Sequence, residues 1–470
     1  MSKKNCYDTI GIGAGPAGMT AAIYAAADGA RVLVLDRLDK VGKKLLVTGN
    51  GRCNLTNLDQ KPEYYRSDAP DKAWSIFSAS DESTTLQLME RLGVMTRSRE
   101  GYIYPYNEQA ATVREALEVY LNSIKTIHVM TEMTVTDLEP AGKGIGISEE
   151  DYRNTEGLKD IPEDYQNTEG LKERPEEEHQ HMGFMVHTRS PEGRKSFSGR
   201  TVIIATGGLA GTGLGCEGDG YRFARKLGHR IISPEPALTA LCSGAPFLKK
   251  LNGVRSRSAV TLYINGRERA RERGELQWTD YGISGVAVFC LSRFAIRALK
   301  KGDQVSVSVD FVPDMEEEAL IRQLIRMKTD CGYKDGITFL HGWAAAELAP
   351  VLLKEARIRP DGSVSDWDKD DIRRLAGVLK GFELRIRGYK SYEKAQVTMG
   401  GIPLDELSSH LESRICPGLF FAGEVVDVDG TCGGYNLQWA FSSGKTAGEA
   451  ARFKLRNHFS SQTRVSQSPI

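Results

Sequence analysis

Paired cysteines are missing from this chain. Its eight cysteines, Cys6, Cys53, Cys216, Cys242, Cys290, Cys331, Cys416 and Cys432, stand singly, with no CxxC spacing and no companion histidine cluster. That argues against structural zinc and iron–sulfur sites, so no metal is expected. Scattered thiols of this kind suit a reducing compartment, and a cytoplasmic location is expected. Net charge is missing too, since 62 Lys+Arg balance 62 Asp+Glu. Neither nucleic acid nor an anionic membrane is therefore expected as a partner. No apolar run approaches the roughly twenty residues of a membrane span. The opening "MSKKNCYDTIGIGAGPAGM" is basic and then apolar, but its glycines fit a strand and turn better than a signal peptide. A chain of 470 residues exceeds one hydrophobic core, so about two to three domains are expected.

The chemistry begins in "YDTIGIGAGPAGMTAAIYAAADGARVLVLDR", which reads as a βαβ unit. Residues 7–12 form a short apolar strand, an alanine-rich helix ends at Gly29, and "RVLVLD" is a run of the kind buried in a parallel sheet. Between strand and helix lie Gly13, Ala14, Gly15, Pro16 and Gly18. The first glycine permits the tight turn, the second lets the backbone approach a pyrophosphate, and the third lets the helix pack on the sheet. The bare helix end offers amides and a positive dipole to phosphate. Asp36, with Arg37 after it, ends the second strand where an acid accepts hydrogen bonds from ribose hydroxyls. An acid there argues against a 2′-phosphate, leaving an FAD-like or NAD-like nucleotide.

Two remote segments favour FAD. An apolar strand at residues 202–205 runs into Ala205, Thr206, Gly207 and Gly208, and residues 419–423 repeat the strand-to-glycine form before a helix near Asn436. NAD closes within one such unit, whereas FAD is long enough to need contacts from distant pieces.

The motifs "GKKLLVTGNGRCNLTN", "GYIYPYNEQAATVREAL", "CEGDGYRFARKLGH", "LQWTDYGISG", "KAQVTMGGI" and "FAGEVVDVDGTCGGYNLQWAFSSGKTAG" resemble successive signatures of the BaiN/YhiN-type flavoproteins, also described as aminoacetone-oxidase-like FAD-binding proteins. The resemblance covers nearly the whole chain except about forty residues after Pro140. It places residues 43–57 beside FAD. There Lys43 offers a point charge, Arg52 a forked donor and Asn54 an amide, while Gly49 and Gly51 let the chain wrap closely. It also implies Glu424 on a ribityl hydroxyl, backbone contacts from Val135 to the adenine, and Gly423 at the strand end. Gly434, Asn436, Leu437 and Gln438 at a helix start would face the flavin N1–C2=O edge and steady its charge on reduction. Cys53 and Cys432 read as packing residues, and His229 and His341 as structural ones.

The expected fold is α/β: a discontinuous Rossmann-like FAD-binding domain of the glutathione-reductase type with an inserted β-rich domain and a helical subdomain. The bounds are 1–215 plus 389–457 for the FAD-binding domain, 216–313 for the β-rich cap, 314–388 for the helical insert, and 458–470 for a polar tail. Within the first lies an acidic insertion at about 141–181, where "EDYRNTEGLKDIP" is followed by "EDYQNTEGLKERP". Too polar to bury a core, it reads as a solvated loop; a partner-binding role is the alternative.

The two inserted pieces would cover the flavin's exposed face and shape the substrate cavity. In "WTDYGISG", Asp280 and Tyr281 either form a proton-donor pair or only shape a turn. There is no second GxGxxG-plus-acid unit, so NADH or NADPH would dock transiently. The family is linked to reduction of conjugated C=C bonds in steroid or bile-acid-like 3-oxo enones. It is also linked to peroxide-forming oxidation of a small amine, as in aminoacetone oxidase. The wording of "LQWTDYGISG" and "DGTCGGYNLQWA" resembles that of anaerobic bacteria and tilts the expectation toward the reductase. An RNA-modifying flavoprotein is a further class, which the balanced charge and the lack of a basic, aromatic-laced stripe argue against.

Overall fold

The computed structural model describes residues 5–141 and 183–465, with side chains to residue 456. The duplicated stretch expected as a solvated loop lies outside the described residues. The chain divides into two units, Met1–Pro234 with Met399–Ile470, and Glu235–Thr398.

The first unit grows from the apolar run "VLVL". Strand β1 (Cys6–Ile12) leads into helix α1 (Pro16–Ala25) and strand β2 (Val32–Leu35). Alternate residues of β2 serve two apolar clusters, Leu33 and Leu35 one and Val32 and Val34 the other, and all four are buried. Each such burial is worth about 1.5–3 kcal/mol. A strand buried on both faces is what a parallel sheet covered on two sides requires.

Further along the chain come β3 (Thr56–Asn57), β4 (Tyr65–Arg66), β5 (Thr96–Arg99), β6 (Tyr102–Pro105), β7 (Ile127–Met130), β8 (Thr134–Pro140), β9 (Phe184–Ser190) and β10 (Gly193–Ile204). The main sheet runs β7-β2-β1-β10-β9-β8, with the late strand Leu419–Phe421 also pairing with β10. Where β2, β1, β10 and Leu419–Phe421 lie side by side they are parallel, and Leu35, Ile12, Ile204 and Phe421 form one row. Four strands from three remote parts of the chain therefore end level. In an open parallel sheet that carboxyl edge is where ligands bind.

The second unit is built on a seven-stranded antiparallel sheet, with Arg255–Ile264, Arg267–Thr279, Val305–Asp310 and Phe382–Ile386 among its strands. Its core joins Trp278, Phe311 and Phe382 from the sheet to Leu320, Leu324 and Leu375 from the helices Glu317–Cys331 and Lys369–Lys380. The expected boundary at 216 falls differently here. Helix Asp219–Lys226 buries Tyr221, Phe223 and Ala224 in the first unit's core, and the division comes after Pro234. At the other end the helix Tyr435–Val465 continues into residues expected as tail.

His229 is a structural residue in the first unit. Its side chain is wholly buried, with Nδ1 2.9 Å from Glu406 Oε2 and Nε2 2.8 Å from Ser413 Oγ. Burial holds its pKa below the usual value, although Glu406 pulls the other way. A neutral ring donating from Nδ1 and accepting the Ser413 hydroxyl satisfies every partner, since Ser413 Oγ itself accepts from the Cys416 amide at 2.7 Å. Because the folded pKa is depressed, the unfolded chain takes up its proton first. Stability is then complete above about pH 6.5 and is lost as pH falls from there toward the folded value. Thermal melts at pH 5 and pH 7.5 should show a smaller acid-induced drop for His229→Gln than for the natural chain; equal drops contradict this assignment.

Candidate functional site

The residues that step off the level row are the ones the sequence marks. After β1, the Gly13 amide donates to Leu35 O at 2.8 Å. A Cβ on Gly13 would sit 2.5 Å from the carbonyl oxygen of Ala205, and one on Gly18 would sit 1.9 Å from that of Gly13. Turn, neighbouring strand and helix thus touch through backbone. A Cβ on Gly15 would meet nothing within 4 Å, so the helix start opens onto free space. Pro16 fills the first helical position, where a missing amide is harmless. The amides of Gly15, Ala17 and Gly18 have no acceptor within the helix.

Asp36 Oδ2 accepts the Ala14 amide at 2.7 Å and Oδ1 the Leu38 amide at 2.8 Å. Burial raises its pKa against the pull of these two amides and of Arg37 and Lys43. A carboxylate has about four acceptor positions, so two remain for hydroxyls. Beside it Arg37 pairs with Glu217, and with Asp219 at 2.6 Å. Met133 N–H donates to Asp36 O at 2.8 Å, which brings the start of β8 and buried Val135 to this end. Here a groove of about 540 Å³ is lined by Arg37, Leu38, Glu132, Thr134 and Arg189.

On the other side, Ala205 N–H donates to Ile12 O at 2.8 Å. Thr206 follows, and then Gly207 at φ 73°. Past Phe421, the Gly423 amide donates to Ser443 Oγ at 2.9 Å, and its carbonyl accepts from Trp439 Nε1 at 3.1 Å. Both partners are on the C-terminal helix. That helix lies against α1 with no side chain between them: a Cβ on Gly444 would come 2.5 Å from Ala17 O, and one on Gly448 2.4 Å from Ala21 O. The order of these contacts makes the helices parallel. The C-terminal one starts about eight residues earlier, roughly 12 Å further along.

At its start, Gly434 at φ 99° leaves no room for a Cβ, which would fall 2.8 Å from Thr56 O and 2.9 Å from Asn54 Oδ1. The opening loop is therefore folded onto this helix end, and Asn57 Nδ2 donates to Gly433 O at 3.2 Å. The loop holds Gly49, Asn50, Gly51 and Cys53 at positive φ. For Asn50 and Cys53 this is stored strain of the sort functional loops carry. Cys53 is buried in an apolar cluster that pushes its thiol up to about 12, as a packing residue should be.

Two buried oxygens along this edge have no hydrogen-bond partner: Asn54 Oδ1 and Thr206 Oγ1. Orphaned acceptors of this sort cost roughly 1–3 kcal/mol each unless something meets them. Together with the space before Gly15 and two parallel helix starts, they fit a long dinucleotide bearing hydroxyls and ring polar atoms.

A family model for the HI0933-like protein Rossmann domain matches residues 7–158 and 169–450. The chain belongs to that family. A relative from Clostridium scindens (strain ATCC 35704 / DSM 5676 / VPI 13733 / 19), named 3-dehydro-bile acid delta(4,6)-reductase, is 35% identical over 443 residues, covering 94% of this chain and 98% of the relative. One from Escherichia coli (strain K12), named ribosomal RNA dihydrouridine synthase, is 28% identical over 439 residues, or 93% and 96% of the two chains. Among solved structures, the 3-ketosteroid-delta4-(5alpha)-dehydrogenase from Rhodococcus jostii RHA1 aligns with 95% of this chain and 97% of its own at 15% identity and a TM-score of 0.45. This HI0933-like chain is an FAD-dependent oxidoreductase, and FAD is its cofactor.

Several marked side chains are engaged elsewhere. Lys43 pairs with Asp39. Arg52, beside Gly51, is half exposed and 3.9 Å from Glu108. Asn436 clamps Gly430, accepting its amide and donating to its carbonyl, both at 2.8 Å. Leu437 packs into the same apolar cluster as Cys53. Asp280 and Tyr281 form the turn between strands Arg267–Thr279 and Gly282–Ser284 in the second unit, with Lys390 Nζ 3.8 Å from the Tyr281 ring centroid.

A buried cation that the sequence reading did not mark is Lys44. Its Nζ lies 2.6 Å from Glu424 Oε2, with both side chains mostly buried. Burial acts against the ammonium, but Glu424 and Cys216 outweigh it and raise its pKa. Two adjacent lysines look equivalent in a sequence, yet Lys43 turns to Asp39 and Lys44 to Glu424. Lys44→Met takes away the cation that balances Glu424 inside the site, so the dissociation constant for FAD should rise about tenfold or more. Lys43→Met, which loses a surface pair, should change it less than about threefold. Titration of the two apoproteins with FAD checks this, and equal effects contradict it.

Proposed function

We propose that this chain reduces a carbon–carbon double bond conjugated with a carbonyl, that its substrate is a small 3-oxo enone of the steroid or bile-acid type, and that a reduced nicotinamide dinucleotide supplies the electrons. The observation that carries the reading is that relatives with different names share one bond chemistry. A delta(4,6)-reductase acting on a 3-dehydro bile acid saturates alkenes conjugated with a ketone. Making dihydrouridine saturates a ring double bond conjugated with a carbonyl. The steroid-type substrate is preferred because that relative is the more similar of the two and covers nearly all of both chains.

Bound FAD supplies a two-electron hydride carrier. The protein's residues do the rest. The first-turn amides after Gly13 and Gly15 would hold the pyrophosphate, and Asp36 the ribose. Thr206 Oγ1, Asn54 and the Lys44–Glu424 pair would serve the cofactor's hydroxyls and ring polar atoms. The start of the C-terminal helix, at Gly434, would set its positive end against the ring edge that gains charge.

One feature favours a second substrate, an RNA base. Arg255, Arg257, Arg267, Arg269, Arg271 and Arg273 share one hairpin of the second unit, a concentration that the balanced total charge conceals. Several are already engaged: Arg255 with Glu275, Arg271 with Asp310, and Arg273 with Asp314. The small enone therefore stays the first reading.

Anaerobic reduction of the yellow protein separates the readings. NADH or NADPH should bleach it, and a 3-oxo-4-ene steroid acid should restore the colour with the saturated ketone as product. Restoration only by a uridine-containing ribosomal RNA fragment would replace the substrate. Bleaching by aminoacetone alone, with peroxide formed in air, would overturn the reductase.

A further inference from the structure

Among the described residues the first unit has one βαβ dinucleotide site, and that site suits the FAD cofactor, so an electron donor of the nicotinamide type must bind elsewhere and close to Gly434. The small sheet of β3, β6 and β5 meets that requirement. Tyr102 is opposite Asn57 on one side and Arg99 on the other, and Tyr104 is opposite Arg97. Directly paired residues and their i+2 neighbours share a face. One face therefore carries Asn57, Tyr102, Tyr104, Arg97 and Arg99, while Ile103 turns the other way into an apolar cluster. The pairing extends one step further, with Tyr106 N–H donating to Met95 O at 2.8 Å. Met95 and Tyr106 are strongly exposed, at 74% and 63%.

This face adjoins the helix start. A Cβ on Gly433 would lie 3.3 Å from the Tyr102 ring, and Asn57 holds the Gly433 carbonyl. Its charge has a positive surplus. Glu108 pairs with Arg97 and lies 3.9 Å from Arg52, while Arg99 has no carboxylate within ion-pair distance among the described residues. Glu100, at the exposed hairpin turn, is the other acid nearby. Exposed guanidiniums beside the half-buried rings of Tyr102 and Tyr104 and the exposed ring of Tyr106 suit a ligand that combines an anionic pyrophosphate with flat heterocycles. The patch is only a few residues long on each strand, and its two arginines are about 7 Å apart. That is the scale of one dinucleotide, not of a polyanion.

We propose that the Arg97–Arg99–Tyr102–Tyr104 face is the docking surface for the reduced nicotinamide dinucleotide, with the arginines on its pyrophosphate. This rests on the reading that such a dinucleotide is the electron donor.

The test is calorimetric titration of the FAD-loaded protein with tetrahydro-NADH, which has the donor's shape but gives up no hydride. The natural chain should bind it, and Arg97→Ala with Arg99→Ala together should raise the dissociation constant tenfold or more. Restoring charge with lysine at both positions should recover part of the loss. Flavin absorbance and the melting curve should stay unchanged, because only a surface ion pair is removed. If the natural chain and the double alanine variant bind equally, this surface is wrong while the donor reading stands. If the natural chain binds neither tetrahydro-NADH nor its 2′-phosphorylated form, the donor reading falls and takes this proposal with it.

Discussion

The site depends on two helices lying against each other backbone to backbone. Gly444 and Gly448 give the C-terminal helix no side chain where it meets Ala17 and Ala21, so it runs parallel to α1 and close to it. Were either glycine larger, the carbonyls of α1 would push the helix away. Two consequences follow from this contact. The helix starts point the same way, offset by roughly 12 Å, which is the scale of the distance between the pyrophosphate and ring system of one FAD. Through Ser443 and Trp439 the same helix also fixes both polar atoms of Gly423, holding the third strand end in the row set by Leu35, Ile12 and Ile204.

That arrangement explains why so many special backbone positions crowd into one place. Gly13, Gly18 and Gly434 each lie where a Cβ would meet a carbonyl from another segment. Asn50 and Cys53 accept positive φ without being glycine. Close packing of main chain on main chain leaves amides and carbonyls as the principal surface, and a dinucleotide is recognised largely through such groups. The orphaned oxygens of Asn54 and Thr206 are gaps in that surface.

Much of this was legible beforehand because it is local. The Gly13–Gly18 turn and the acid at Asp36 have fixed spacing, and "VLVL" is apolar without a break, so strand, turn, helix and strand could be read in order. Convergence of residues 202–207 and 419–424 on the same edge came from motif resemblance, and strand register then gave it a physical basis. Side-chain pairing was not legible. Nothing in "GKKLL" separates Lys43, which reaches Asp39, from Lys44, which reaches Glu424 across 380 positions. Asn436 looked like a ligand residue because it begins a helix after glycines, yet its amide closes a loop at Gly430. The small-residue spacing of Gly444 and Gly448 was visible in "SSGKTAGEAA", but its partner on α1 was not. A total charge of zero also conceals local concentrations, namely the arginine hairpin of the second unit and the Arg97–Arg99 face of the first.

The central claim is that residues 13–18, 43–57, 205–207 and 423–438 form one cofactor site. Hydrogen–deuterium exchange of the apoprotein against the FAD-loaded protein tests it most directly. The account predicts slowed exchange in all four segments on loading. Slowing confined to residues 13–18 and the end of β2, with the start of the C-terminal helix unaffected, would contradict it.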